Sequence, residues 1–260
     1  MAELIVRRAG GVGTVVFSNV AKHNAVTFEM WRAFPEVMGE LGADPSIRVV
    51  VLQGDGERAF ISGADISQFE QARASAEAQA AYNHAVDEAY EAPVRCPKPV
   101  IAKIRGICMG GGLGLAAACD LRMCSDDAVF RMPAARLGLG YNFPGVRRFM
   151  NLIGGANTAD IFYSARKFDA ADALRMGFVS RVLPLADLDR EVDAWTALVA
   201  ENAPLTVAAV KRAIREAFKD PQERDAETMN RMIAACFASD DYREGRRAFM
   251  EKRTPDFKGK

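Results

Sequence analysis

Residues 106–120, GICMGGGLGLAAACD, set three consecutive glycines, Gly110, Gly111 and Gly112, between a strand-like run, PVIAKIRG, and an apolar helix-like run, LGLAAAC. A strand that enters a helix through glycine leaves backbone N–H groups free at the positive end of the helix dipole. The fold must therefore pack a strand closely against a helix, and the junction can receive negative charge. A second such turn is Ser62-Gly63-Ala64, inside ERAFISGADISQFEQAR, which passes from extended to helical at about Ala64. Neither turn completes GxGxxG and no GK[ST] is present, so neither a dinucleotide fold nor a P-loop is indicated. Two readings follow. Glycine can simply permit tight strand-to-helix packing, or one N–H from each turn can converge on a single oxygen as an oxyanion hole made of backbone. The second reading explains why no acid, base or nucleophile stands beside the triad.

Around these turns the chain reads as mixed α/β. Residues 3–18 alternate as two short strands about Gly10, Gly11 and Gly13, a hairpin signal. Thr27 is an N-cap for a helix whose apolar positions, Met30, Trp31, Phe34, Val37, Met38 and Leu41, recur at three- and four-residue spacing. IRVVVLQG is a continuous apolar strand of the kind buried on both faces. A helix over roughly 78–92 precedes CPKPVIAKIRG, whose prolines mark entry to another buried strand. The strand, glycine turn, helix pattern thus occurs twice, without a repeat of fixed period. From about 184 the pattern is helical: LADLDREVDAWTALVAENA, then PLTVAAVKRAIREAF with Pro204 in its first turn, then one long charged amphipathic stretch over 222–251.

Half of the 260 residues are apolar, enough for a large core without disulfides or a metal. The 34 basic and 34 acidic residues balance, which removes the electrostatic case for nucleic-acid or anionic-membrane partners. The first residues lack a basic region followed by an apolar one, and the longest apolar stretch, 99–119, is broken by Lys103, Arg105 and glycines; the expectation is a cytoplasmic protein with no membrane span. Five cysteines without CxxC spacing read as reduced thiols. The two histidines, His23 and His84, stand at neither serine-hydrolase nor metal-ligand spacing.

AFISGADI (59–66), GICMGGGLGLAAACDLRM (106–123) and EGRRAFMEKRTPDFKGK (244–260), together with KHNAV near the start and ARKFDAADALRMGFVSRVLP (165–184), resemble in order and separation the enoyl-CoA hydratase/isomerase, or crotonase, superfamily. The resemblance spans essentially the whole chain. It implies a spiral of strand-strand-helix units over residues 1–200 and a helical region over 201–260 that forms trimers or dimers of trimers. It also implies a coenzyme A thioester as substrate, with no separate cofactor and no metal. The thioester oxygen would sit between the N–H groups of Ala64 and Gly111, the latter small so that the thioester can approach. Gly63, Gly110, Pro133 and Leu137 would contact the substrate or its CoA, Lys22, Asn24, Asp65 and Ile66 would lie along pantetheine and adenine, and Lys252 or Arg253 would meet phosphate. Asp65 reads as a helix-start residue, not a catalyst.

Two departures bear on the reaction. Hydratases of this superfamily carry two glutamates, which here fall on Gly114 and Ala134; eight residues beyond the second, where some relatives have aspartate, stands Asn142. General acid and base groups contribute roughly 10² to 10⁴ each, so efficient hydration is not expected. PAARLGLGYNFPGV and the C-terminal tail resemble the methylmalonyl-CoA decarboxylase branch, in which a tyrosine at the Tyr141 position meets the substrate carboxylate. That branch has histidine at Ala64 and an acid at Gly114, so the match is incomplete. Arg136, the other nearby polar group, reads equally as a surface or intersubunit ion pair. Decarboxylation or double-bond isomerisation is therefore favoured, with Ala64, Gly111 and Tyr141 as catalytic residues. The alternative is an acyl-CoA binding protein that kept the pocket without turnover. A carboxylate from Glu70 or from the polar segment 72–81 is a candidate to replace the missing acids.

Overall fold

The runs either side of Gly10 and Gly11 pair antiparallel as β1 (Glu3–Ala9) and β2 (Val12–Ser18), in a computed structural model that describes residues 2–65 and 75–260. Thr27 caps α1 (Phe28–Ala43) as its spacing requires, its hydroxyl accepting from Met30 N at 3.3 Å. Met30, Trp31, Phe34, Met38 and Leu41 form the buried stripe. The extended-to-helical change after Ala64 falls on residues outside those described. The next helix, α2 (Ala76–Arg95), begins at the Ser75 N-cap and contains the expected 78–92.

A two-strand unit then recurs three times. β3 (Val49–Gly54) is followed by β4 (Ala59–Ile61), β5 (Val100–Ile104) by β6 (Ile107–Met109), and β7 (Leu121–Ser125) by β8 (Val129–Arg131). In each pair the first strand enters a six-stranded sheet, β1-β2-β3-β5-β7-β10, and the second a four-stranded sheet, β4-β6-β8-β9. The chain therefore winds as a spiral, advancing one strand in each sheet per turn. β9 (Lys167–Asp169) and β10 (Arg181–Leu183) complete the sheets. The second turn of the spiral is closed by α3 (Gly111–Ala118) and the third by α4 (Phe143–Ser164), which is broken at Gly154 where φ is 75°. The third unit escapes sequence inspection because β8 has three residues and no glycine turn follows it.

After β9, α5 (Ala170–Arg175) and α6 (Leu188–Ala200) pack on the core. α7 (Pro204–Ala217) starts with Pro204 in its first turn. The stretch read as one amphipathic segment over 222–251 is two helices, α8 (Ala226–Ala238) and α9 (Asp240–Glu251). Ser239 divides them: its hydroxyl accepts from Tyr242 N at 3.0 Å and so caps the second. Four of the five free cysteines are buried, and burial pushes the thiols of Cys119 and Cys124 up to about 12, which makes them inert. Among the described residues no helix is long and apolar enough to cross a membrane.

Candidate active site

Because β4, β6 and β8 run parallel, their C-terminal ends lie side by side. The segments leaving them, 62–64, 110–111 and 132–134, line one cavity of about 330 Å³. Both glycine turns need glycine for backbone reasons, with φ of 126° at Gly63 and 50° at Gly110. They touch: a Cβ on Gly110 would lie 3.8 Å from Gly63 Cα, and one on Gly63 3.9 Å from Gly111 N.

Among the described residues each turn leaves backbone N–H groups without an acceptor, Ala64 and Gly111 among them. Val26 N donates to Gly63 O and Asp65 N to Val26 O, both at 2.9 Å, so Ala64 between them turns its own N–H away from Val26. Gly111 is the first residue of α3, where an N–H has no intrahelical acceptor. Among the described residues neither amide has a protein acceptor. Within the chain, what demands a small residue at 111 is Trp31: a Cβ there would lie 3.0 Å from Trp31 Cζ2.

Two tyrosine hydroxyls occupy the space above Gly114. A Cβ at 114 would lie 2.6 Å from Tyr90 Oη and 3.0 Å from Tyr141 Oη. The Tyr90 hydroxyl donates to Gly111 O at 3.3 Å, and the Tyr141 hydroxyl faces the same point above Gly114. Burial pushes the Tyr141 phenol up to about 12 and that of Tyr90 well above its ordinary value, so both are neutral at physiological pH. Tyr141 is held edge-on against Phe162, ring centres 4.9 Å apart. Ala134 opens a short 3₁₀ turn, Ala134–Leu137, and is buried in the cavity wall without a polar atom to offer.

The other sequence candidates separate. Pro133 and Leu137 line the cavity. Lys22 pairs with buried Asp65 at 2.7 Å on the outer side of the first turn. Asn24 is buried and its amide is spent on the framework: Nδ2 donates to Asp55 O and Ala59 O, and Oδ1 accepts from Asn19 N. Lys252 closes α9 in a left-handed conformation and is exposed, outside the cavity lining; Arg253 beside it is bound to Glu244 and Glu251. Arg136 is exposed on the 3₁₀ turn. Ile66 and Glu70 lie outside the described residues.

One residue was not anticipated. Asp87 of α2 lines the cavity, and its Oδ1 accepts from Asn142 Nδ2 at 2.7 Å. Asn142 in turn caps α4, its Oδ1 accepting from Gly145 N at 2.8 Å. The signal lay in helical spacing: Asp87 follows Asn83 by four residues and precedes Tyr90 by three, all on one face.

Comparison with known proteins agrees with this layout along the whole chain. The family model for enoyl-CoA hydratase/isomerase matches residues 7–260. Carnitinyl-CoA dehydratase of Proteus mirabilis is 33% identical over 244 residues, 92% of each chain. The short-chain-enoyl-CoA hydratase of Clostridium acetobutylicum is 28% identical over 251 residues, 96% of this chain and 95% of that one. A crystal structure of an enoyl-CoA hydratase/carnithine racemase from Magnetospirillum magneticum superposes with a TM-score of 0.94 at 33% identity, covering 100% of this chain and 97% of that one. A match this continuous, over the spiral and the helices that follow it, places the chain in the enoyl-CoA hydratase/isomerase family.

Proposed function

We propose that the protein binds an acyl-CoA thioester with its carbonyl oxygen between Ala64 N–H and Gly111 N–H, and works through the enolate. The reaction favoured is decarboxylation of a malonyl-type thioester, or a double-bond shift, over efficient hydration. The observation that carries this is position 114, where two tyrosine hydroxyls take the room of a glutamate. Losing CO₂ sends the electron pair of the breaking C–C bond into the enolate, which needs an oxyanion hole and a neutral group to orient the leaving carboxylate, but no strong base. Tyr141, neutral and at the cavity wall, suits that orienting role. Lys22, paired to Asp65 beside the first turn, is the cation best placed to meet the coenzyme's phosphates.

The test is to incubate the pure protein with crotonyl-CoA, methylmalonyl-CoA and a 3-enoyl-CoA and follow the CoA species by mass. Turnover of the second or third should exceed hydration of the first by about 100-fold. Rapid hydration of crotonyl-CoA overturns the reading. Binding of all three with turnover of none supports instead a non-catalytic acyl-CoA binding protein.

The same reading includes self-association through α7, α8 and α9. Their outer faces form an apolar groove that includes Val210, Ile233, Phe237, Phe249 and Met250, the last two 81% and 80% exposed. A patch of this kind is covered in most proteins, and further copies of the chain are the occupant the family resemblance implies.

A further inference from the structure

The helix α2 turns one face to the cavity, with Tyr90 at its inner end reaching Gly111 O. Asp87 stands three residues earlier, about 4.5 Å along the axis toward the helix start. It is the one carboxylate among the described residues that line the cavity. Asn142, fixed as the cap of α4, ties Oδ1, and no described residue ties Oδ2. The charged and titratable groups around it are His84, Tyr90 and Glu91 on α2, Arg148 on α4, and Tyr141. Arg148 is committed to Glu91 at 2.7 Å, so Asp87 has no cation of its own.

We propose that Asp87 is the proton-transfer group of this cavity, exchanging a proton with the α-carbon of the bound thioester; this rests on the thioester reading above. In the forward step an Asp87 oxygen takes the α-proton. The C–H electron pair becomes the enolate double bond, and the carbonyl π pair moves onto the oxygen held by Ala64 and Gly111. The reverse step returns the proton to carbon, whether the enolate arose by deprotonation or by loss of CO₂. One carboxylate suffices for this, whereas adding water across a double bond uses an acid and a base together. Asp87 is exposed to solvent, and partial desolvation at the cavity edge still raises its carboxyl above the ordinary range, against the opposing hydrogen bond from Asn142, which brings it nearer the value at which a base is effective.

The experiment uses two probes. A cinnamoyl-CoA thioester, whose absorbance moves to longer wavelength when its carbonyl is polarised, reports the oxyanion hole. Butyryl-CoA in D₂O, followed by mass, reports exchange of the α-proton. Asp87→Asn should keep the absorbance shift and bind within about twofold while lowering exchange about 100-fold. Exchange by the unaltered protein should rise with pH through a limb that Asp87→Asn lacks, because the carboxylate form is the base. If the unaltered protein polarises the thioester yet exchanges nothing, or if Asp87→Asn exchanges as fast, the assignment to Asp87 is overturned. If the unaltered protein does not polarise the thioester, it is the thioester reading that fails.

Discussion

Tyr141 ties the cavity wall to the helices behind it: its hydroxyl shares the space above Gly114 with that of Tyr90, and its ring packs on Phe162. Tyr141→Phe keeps the ring contact and removes only the hydroxyl. With methylmalonyl-CoA as substrate, kcat should fall about tenfold or more, while the dissociation constant of a non-carboxylated acyl-CoA changes less than about twofold; equal effects on both would remove the orienting role. At this scale the sequence is unevenly informative. Gly63 and Gly110 stand out because a left-handed backbone leaves glycine as the natural residue. Asp87 does not stand out, since an acid on a polar helix face looks like a solvated charge, and only the approach of Asn142, 55 residues away, gives it a site. Gly111 reads in sequence as small to admit the thioester, and the edge of Trp31, which crowds a Cβ there at 3.0 Å, is a packing reason the sequence does not show.

Between elements, a buried amine ties the helical region to the spiral, beside the bonds of Arg147 to Phe218 O and Asp220 and of Arg48 to Phe257 O. Lys211 of α7 donates to Pro93 O and Lys98 O, both at 2.8 Å, and to Asp120 Oδ2 at 2.7 Å, joining α2, β5 and β7 at their ends. Lys211→Met keeps the stem and takes the donor from two carbonyls, Pro93 O and Lys98 O, while Asp120 Oδ2 keeps its bond from Val100 N. The expected cost is about 2 kcal/mol, tempered because Asp120 is partly exposed, and read as a lower urea midpoint at unchanged slope. Helices α1 and α7 were legible from caps, proline placement and periodicity, whereas the break at Ser239 was not. There the amphipathic pattern runs on through the boundary, and the division depends on a single hydroxyl turning back to cap α9. The three-residue strands β6 and β8 carry too little periodicity to read, and owe their existence to pairing with each other and with β4 and β9.

Across the whole molecule, the spiral sets three parallel strand ends beside one another, so chemistry accumulates at one end of the four-stranded sheet, while α7–α9 leave an apolar groove elsewhere. Phe249→Arg should shift the sedimentation coefficient from that of a trimer or larger assembly to that of a 28.3 kDa chain. A monomer before the change would dismiss the association. The tyrosine pair also couples three positions. Since Tyr90 and Tyr141 fill the space above Gly114, a glutamate placed there alone meets both hydroxyls. Room must be made by a smaller residue at 90 or 141, which gives up the hydroxyl pair. Positions 90, 114 and 141 are thus coupled, and a side chain at one is admitted only by a change at another.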